Sequence, residues 1–147
     1  MARIAKGTFE VQARSRETVE VRVATREPDS ESPGMSLGKS RLDKQFAGDL
    51  LGISVVEMMS VGSPIQGSAG YVALEFVVAT LAGRNGSFML QHSGVMDRGA
   101  STLTLRVVPG SGTGELRGLT GSMSIDIVEK QHFYTLSYDF AEPPAET

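Results

Sequence analysis

Along most of the chain, hydrophobic and polar residues alternate with a period of two, the pattern of β-strands with one covered face. In TVEVRVAT (18–25), Val19, Val21 and Val23 stand opposite Glu20, Arg22 and Ala24. IAKGTFEVQA (4–13) sets Phe9 and Val11 on one face, and SRLDKQFAGDL (40–50) does the same with Leu42, Phe46 and Leu50. ISVVEMMSV (53–61) and YVALEFVVATL (71–81) are apolar on both faces, which predicts strands covered on two sides. SFMLQHS (87–93), STLTLRVV (101–108), SMSIDIV (122–128) and HFYTLSYDF (132–140) complete a set of about nine strands. Almost nothing has helical period. The stretch REPDSESPGMSLGKS (26–40) loses all periodicity, and its Pro, Ser, Gly and acidic residues predict a long mobile loop over 26–39. Residues 141–147 read as a tail.

Arg84-Asn85-Gly86 and Asp97-Arg98-Gly99 have the composition of hairpin turns, in which Gly supplies positive φ. Short connections imply antiparallel neighbours, because a parallel crossover needs a dozen or more residues. A long antiparallel meander either leaves two unpaired edges or closes on itself, and closure removes the edges. The predicted fold is therefore all-β: one antiparallel barrel of eight to nine strands over residues 1–140. A barrel of about eight strands holds packed side chains or one small ligand.

Composition narrows the function classes. The chain has 147 residues, enough for one ordinary core, and its 40% hydrophobic content argues against disorder. It has no cysteine, which excludes disulfides, thiolate nucleophiles and cysteine-held metals, and fits a reducing compartment. A net charge of −3 with scattered charges is a poor basis for nucleic-acid binding. MARIAKGTFE lacks the apolar stretch of a signal peptide, and no apolar run reaches membrane-spanning length. The expected setting is the cytoplasm, with no membrane and no nucleic-acid partner. No metal or cofactor is expected either, since no two histidines lie at ligand spacing and GSGTGELRG lacks the G-K-[ST] ending of a phosphate loop.

PGSGTGELRGLTG (109–121) is the most distinctive stretch, with its glycines crowded between two strands. Gly112 to Gly118 resembles the G-T-G-x-(aromatic or Leu)-x-G/A element of dirigent proteins and allene oxide cyclases. Together with GSAGYVALE (67–75), GSFMLQHSG (86–94) and QHFYTLSYDF (131–140), the chain resembles an uncharacterised bacterial domain-of-unknown-function family with this barrel fold. The resemblance runs from about residue 38 to 140, with a weaker echo at GTFEV (7–11), and departs over 14–37. It implies an eight-stranded barrel with a central cavity. It also implies a possible role in holding a reactive apolar intermediate, with cyclisation or coupling controlled mainly by shape. The catalytic pattern of the plant proteins does not map onto this chain residue by residue.

Strand parity names candidate cavity residues, on the assumption that the more apolar face points inward. Phe88, Leu90 and His92 then share an inward face, as do His132, Tyr134, Leu136, Tyr138 and Phe140. Leu103, Leu105 and Val107 face in, as do Met123, Ile125 and Ile127. Phe88, Leu90, His92, Tyr134 and Tyr138 are the candidates for a small apolar or aromatic ligand, since such pockets are mostly apolar with a few polar groups. A histidine ending a strand is more often a hydrogen-bonded structural residue than a catalytic one. Glu57 and Glu75 lie among apolar neighbours, so each is either solvent-facing or buried with a partner. A buried Glu57 beside His92 would form a general acid–base pair. If Val72, Leu74, Phe76 and Val78 face in, Tyr71 and Glu75 face out, where they and Gln91 are candidates for a subunit interface. The outer faces of 53–61 and 71–81 still carry apolar residues such as Ala73, Val77 and Ala79, which predicts a homo-oligomer. The open readings are a small-molecule binding barrel, a cyclase or isomerase, and a structural oligomer with a filled barrel.

Overall fold

Alternating apolar residues carry the strands here, and turn chemistry sets where most of them end. The computed structural model of the protein describes residues 2–19 and 34–141. Its strands are β1 (Arg3–Thr18), β2 (Ser36–Gly48), β3 (Leu50–Gly62), β4 (Ala69–Leu81), β5 (Arg84–Asp97), β6 (Ala100–Val107), β7 (Leu119–Val128) and β8 (Gln131–Phe140). Each pairs antiparallel with the next, and β8 pairs back onto β1 to close an eight-stranded barrel.

Several predicted boundaries move. The first strand continues past residue 13 to Thr18, accommodating a register shift between Val11 and Ala13. Thr18 of the predicted TVEVRVAT strand is thus the end of β1, and Val19 donates its N–H to the Leu37 carbonyl at 2.9 Å. Residues 20–25 of that strand, and 26–33 of the predicted loop, lie outside the described residues. Residues 36–39, expected in the loop, are strand. Gly38 pairs with Thr18 on one side and Ser60 on the other, so ladders on both flanks override a weak local propensity. The turn expected at 84–86 sits earlier, at Ala82-Gly83, where φ is 49° and 81°. Arg98-Gly99 and Glu129-Lys130 repeat that left-handed pair, the backbone that matches the twist of a two-residue hairpin. Beyond Ala141 the predicted tail lies outside the described residues.

One end of the barrel is sealed. Tyr134 Oη accepts the Leu50 N–H at 2.8 Å and lies 2.9 Å from the Ala47 carbonyl, tying β8 to the β2–β3 turn. The glycine-rich stretch folds across the same end. Thr113 donates its N–H to the Ser87 carbonyl at 2.8 Å, and the 3₁₀ turn Gly114–Leu116 drives Leu116 fully into the interior. Gly86 is required by this approach, because a Cβ there would strike the Thr113 carbonyl oxygen. Here Phe46, Leu50, Leu81, Phe88, Tyr134 and Leu136 pack in one large apolar cluster.

The other end is a mouth. A smaller cluster of Leu42, Val56 and Ala73 lies toward it. At this end β6 and β7 separate: their register partners are Leu105 with Met123 and Arg106 with Ser122, beyond which Leu103 and Ile127 are exposed. Both had been expected to face in, and at a splayed rim parity no longer secures burial.

Parity holds on β5, β8 and the inner half of β6, where Phe88, Leu90, His92, Tyr134, Leu136, Tyr138, Leu105 and Val107 are all buried. It inverts on β4. Val72, Leu74, Phe76 and Val78 are exposed, whereas Ala73, Glu75, Val77 and Ala79 are buried. The inner wall of β4 alternates Tyr71, Ala73, Glu75, Val77, Ala79 and Leu81, while the more uniformly apolar set lies outside. Tyr71 and Glu75 therefore point inward, and the apolar outer face of β4 is built from the opposite residues to those expected.

Candidate functional site

Four consecutive strands each turn one polar side chain into the interior at the level where the two apolar clusters meet. On β2 it is Lys44, between Leu42 and Phe46; on β3 it is Ser54, two residues from Val56; on β4 it is Glu75, between Ala73 and Val77; on β5 it is His92, two residues beyond Leu90. Glu75 is wholly buried and gathers the others. Its Oε2 accepts the Ser54 hydroxyl at 2.6 Å. Its Oε1 lies 2.7 Å from His92 Nε2 and 3.4 Å from Lys44 Nζ. The Lys44 ammonium also lies 4.4 Å from the centroid of the Phe9 ring, which in turn stacks on His132 at 4.8 Å.

Burial by itself would push the Glu75 carboxyl up. The hydrogen bond from His92, the Lys44 charge and the Ser54 hydroxyl outweigh it and hold the carboxyl below its ordinary value. Glu75 is thus an ionised, acceptor-only group, and His92 meets it with Nε2–H. The other ring nitrogen, Nδ1, lies 3.4 Å from Tyr71 Oη. Burial, and then the negative charge of Glu75, raises the Tyr71 phenol, so Tyr71 keeps its proton. A continuous chain of polar atoms runs from Glu75 through His92 to Tyr71.

Tyr71 brings this chain to the mouth. It is half-buried on the wall of a cavity of about 240 Å³ that is also lined by Met58, Ser60, Gly94, Met96 and Leu103. Gly94 makes room for it: a Cβ at that position would collide with the Tyr71 ring. His92 and Gly94 share the inward face of β5, one bonding Tyr71 and the other accommodating it. The wall is mostly apolar, as small-molecule sites are.

The other expected residues lie elsewhere. Glu57 is exposed on the outer face and sits 3.6 Å from Arg41, so the carboxylate beside His92 is Glu75 and not Glu57. Phe88, Leu90, Tyr134 and Tyr138 belong to the large cluster of the sealed half. The Tyr134 hydroxyl is engaged with backbone, so His92 and Tyr134 are not brought together as one site. Gln91 is exposed opposite Leu74 on the outer face, but Tyr71 and Glu75 are not surface residues as the interface expectation required. Among the described residues no three His, Asp or Glu side chains gather as a metal site. No helix among them is long and apolar enough to cross a membrane.

The model of the family described as "Protein of unknown function (DUF3224)" matches residues 5–138. The chain belongs to the DUF3224 family. It is also similar to a protein with unknown function from the DUF3224 family of Shewanella oneidensis MR-1, known from a crystal structure. The two are 43% identical with a TM-score of 0.85, and the match covers 97% of this chain and 100% of that one. No curated protein matches the chain.

Lys44 and Ser54 of the site in this DUF3224 chain escaped the sequence reading, and Glu75 was named but turned outward. Lys44 shares the parity of Leu42 and Phe46, so its inward position was visible in principle. Glu75 shares the parity of Tyr71 and Ala73, but the rule that the more apolar face is internal pointed the other way.

Proposed function

We propose that this barrel binds one compact, mostly apolar small molecule at its mouth, anchored by the Tyr71 hydroxyl. The observation behind this reading is the position of Tyr71 on a mostly apolar cavity wall, which also carries Ser60, Ser101 and Thr102, with His92 and Glu75 behind Tyr71 alone. Burying an ion pair generally yields less stability than apolar packing of the same volume. A Lys44–Glu75–His92 cluster therefore makes better sense as support for a binding group than as a stabilising core. In this reading the chain works as the allene oxide cyclases and dirigent proteins do, by the shape of an apolar site in a barrel. A cytoplasmic setting fits the absence of cysteine. The test uses ¹³C-methyl-labelled methionine and a set of compact aromatic fragments. Binding shifts the methyls of Met58 and Met96, while Met123, buried away from the mouth, stays in place. A set that moves neither mouth methionine sinks the reading.

A second reading, an isomerase or cyclase, is supported by the same Tyr71–His92–Glu75 chain, which is arranged to move a proton. General acid–base catalysis through it would fall by about 10²–10⁴-fold in Tyr71→Phe. A lost binding contact would cost about tenfold.

The outer face suggests self-association. Leu51, Ile53, Met59 and Val61 of β3 lie beside Val72, Leu74, Phe76 and Val78 of β4, and all are substantially exposed. Their exposed parts sum to on the order of 700 Å², near the roughly 800 Å² that each partner contributes to a stable interface. A second copy of this chain is the occupant we assign to that face, with Gln91 at its margin. Light scattering on a size-exclusion column should give a dimer or larger at micromolar concentration, and Phe76→Arg should give a folded monomer. A wild-type monomer there contradicts the assignment.

A further inference from the structure

We infer that Tyr71 presents a hydrogen-bond acceptor to the mouth cavity, so that the ligand is a compact apolar molecule carrying an O–H or N–H donor, with phenols and enols the fitting class. This rests on the binding reading above and adds its polarity. The direction of every bond follows from one end of the chain. Glu75 accepts only, so His92 must meet it with Nε2–H. Lys44 already balances the single charge of Glu75, and it shares Oε1 with the ring. With Nε2–H directed at Glu75 and Lys44 already balancing that carboxylate, the tautomer that fits leaves Nδ1 bare, an acceptor. Tyr71 lies within hydrogen-bond distance of that nitrogen and turns its only proton toward it. If the hydroxyl rotated to donate to a ligand, Nδ1 would be left without that donor in a buried site, which protein interiors avoid. The lone pairs of Tyr71 Oη are what remain for the cavity. At Tyr71 a ketone or ether would meet acceptor with acceptor, whereas a phenol would complete the chain. His92 acts here as a positioning residue, since it orients Tyr71 and does not itself line the cavity.

The test titrates three probes of similar size at pH 8, well above the ordinary histidine range, and follows the Met58 and Met96 methyls. The probes are 4-ethylphenol as donor, acetophenone as acceptor only, and 4-ethyltoluene with no polar group. One hydrogen bond made in an apolar site predicts that the phenol binds about tenfold more tightly than either other probe. Tyr71→Phe removes that preference. His92→Phe frees the Tyr71 proton, so acetophenone gains on the phenol. Because each result is a ratio of affinities within one protein, general loss of stability does not mimic it, and Tyr71→Phe remains informative if His92→Phe fails to fold. Acetophenone binding as well as or better than the phenol to the wild type overturns the inferred polarity and leaves the binding reading standing. A phenol preference that survives in Tyr71→Phe overturns the role of Tyr71. Failure of all three probes to shift Met58 or Met96 overturns the inference and the binding reading together.

Discussion

Replacing Glu75 with Leu should cost far more than the loss of three hydrogen bonds on an exposed surface would. Glu75 is fully buried and is the carboxylate that balances Lys44, whose side chain is only 8% exposed. Removing it strands an ammonium in the interior beside the Phe9 ring. Breaking one side of a buried pair costs about 3–5 kcal/mol. For a chain of this size each kcal/mol lowers Tm by about 2–4 °C, so a fall of roughly 6–20 °C is expected. Lys44→Met in the same chain removes the stranded charge, and the double variant should recover most of the loss, since apolar replacement of a whole buried pair is often neutral or better. Urea unfolding followed by tyrosine fluorescence suits a chain with three tyrosines and no tryptophan. It should be run at fixed protein concentration, so that self-association does not enter the comparison. Two results would refute the reasoning: Glu75→Leu within about 1 kcal/mol of the parent, or no recovery on adding Lys44→Met.

Other perturbations have definite expected outcomes. The folded Glu75 carboxyl lies below its unfolded value, so its contribution is fully present above about pH 4.3 and is lost as pH falls through the folded value. Acid unfolding of Glu75→Gln should show a shallower slope there, and an unchanged slope would contradict the ionised assignment. Tyr134→Phe leaves the buried Leu50 N–H without its acceptor and should cost about 2–3 kcal/mol in urea with the m-value unchanged. Leu116→Ala opens the sealed end and should cost about 2–5 kcal/mol, while the Met58 and Met96 methyl shifts at the mouth stay as they are.

How far the sequence could be read depended on how different the two faces of each strand are. On β5 and β8 one face is apolar and the other polar, so Phe88, Leu90, His92, Tyr134 and Tyr138 were all correctly turned inward. On β4 both faces are apolar, and Glu75 went to the wrong side. The glycine stretch was legible as an irregular connection, but not as the plug that places Leu116, because that depends on Gly86 lying beneath Thr113. His92 was noticed on its own. Its partners are Tyr71 and Glu75, Glu75 in turn holds Ser54 and Lys44, and no spacing along the chain joins these residues.

The sequence by itself therefore determined the period-two strands, the antiparallel order, the closed barrel and most of the sealed core. These depend on neighbours in the chain and on which face is the more apolar. The tertiary structure alone decided which carboxylate meets His92, that Lys44 balances it, and that Tyr71 carries the chain to a cavity. Those facts require the registers of β2 through β5 to be set together. A slip of one residue in any strand would turn its polar group out to solvent.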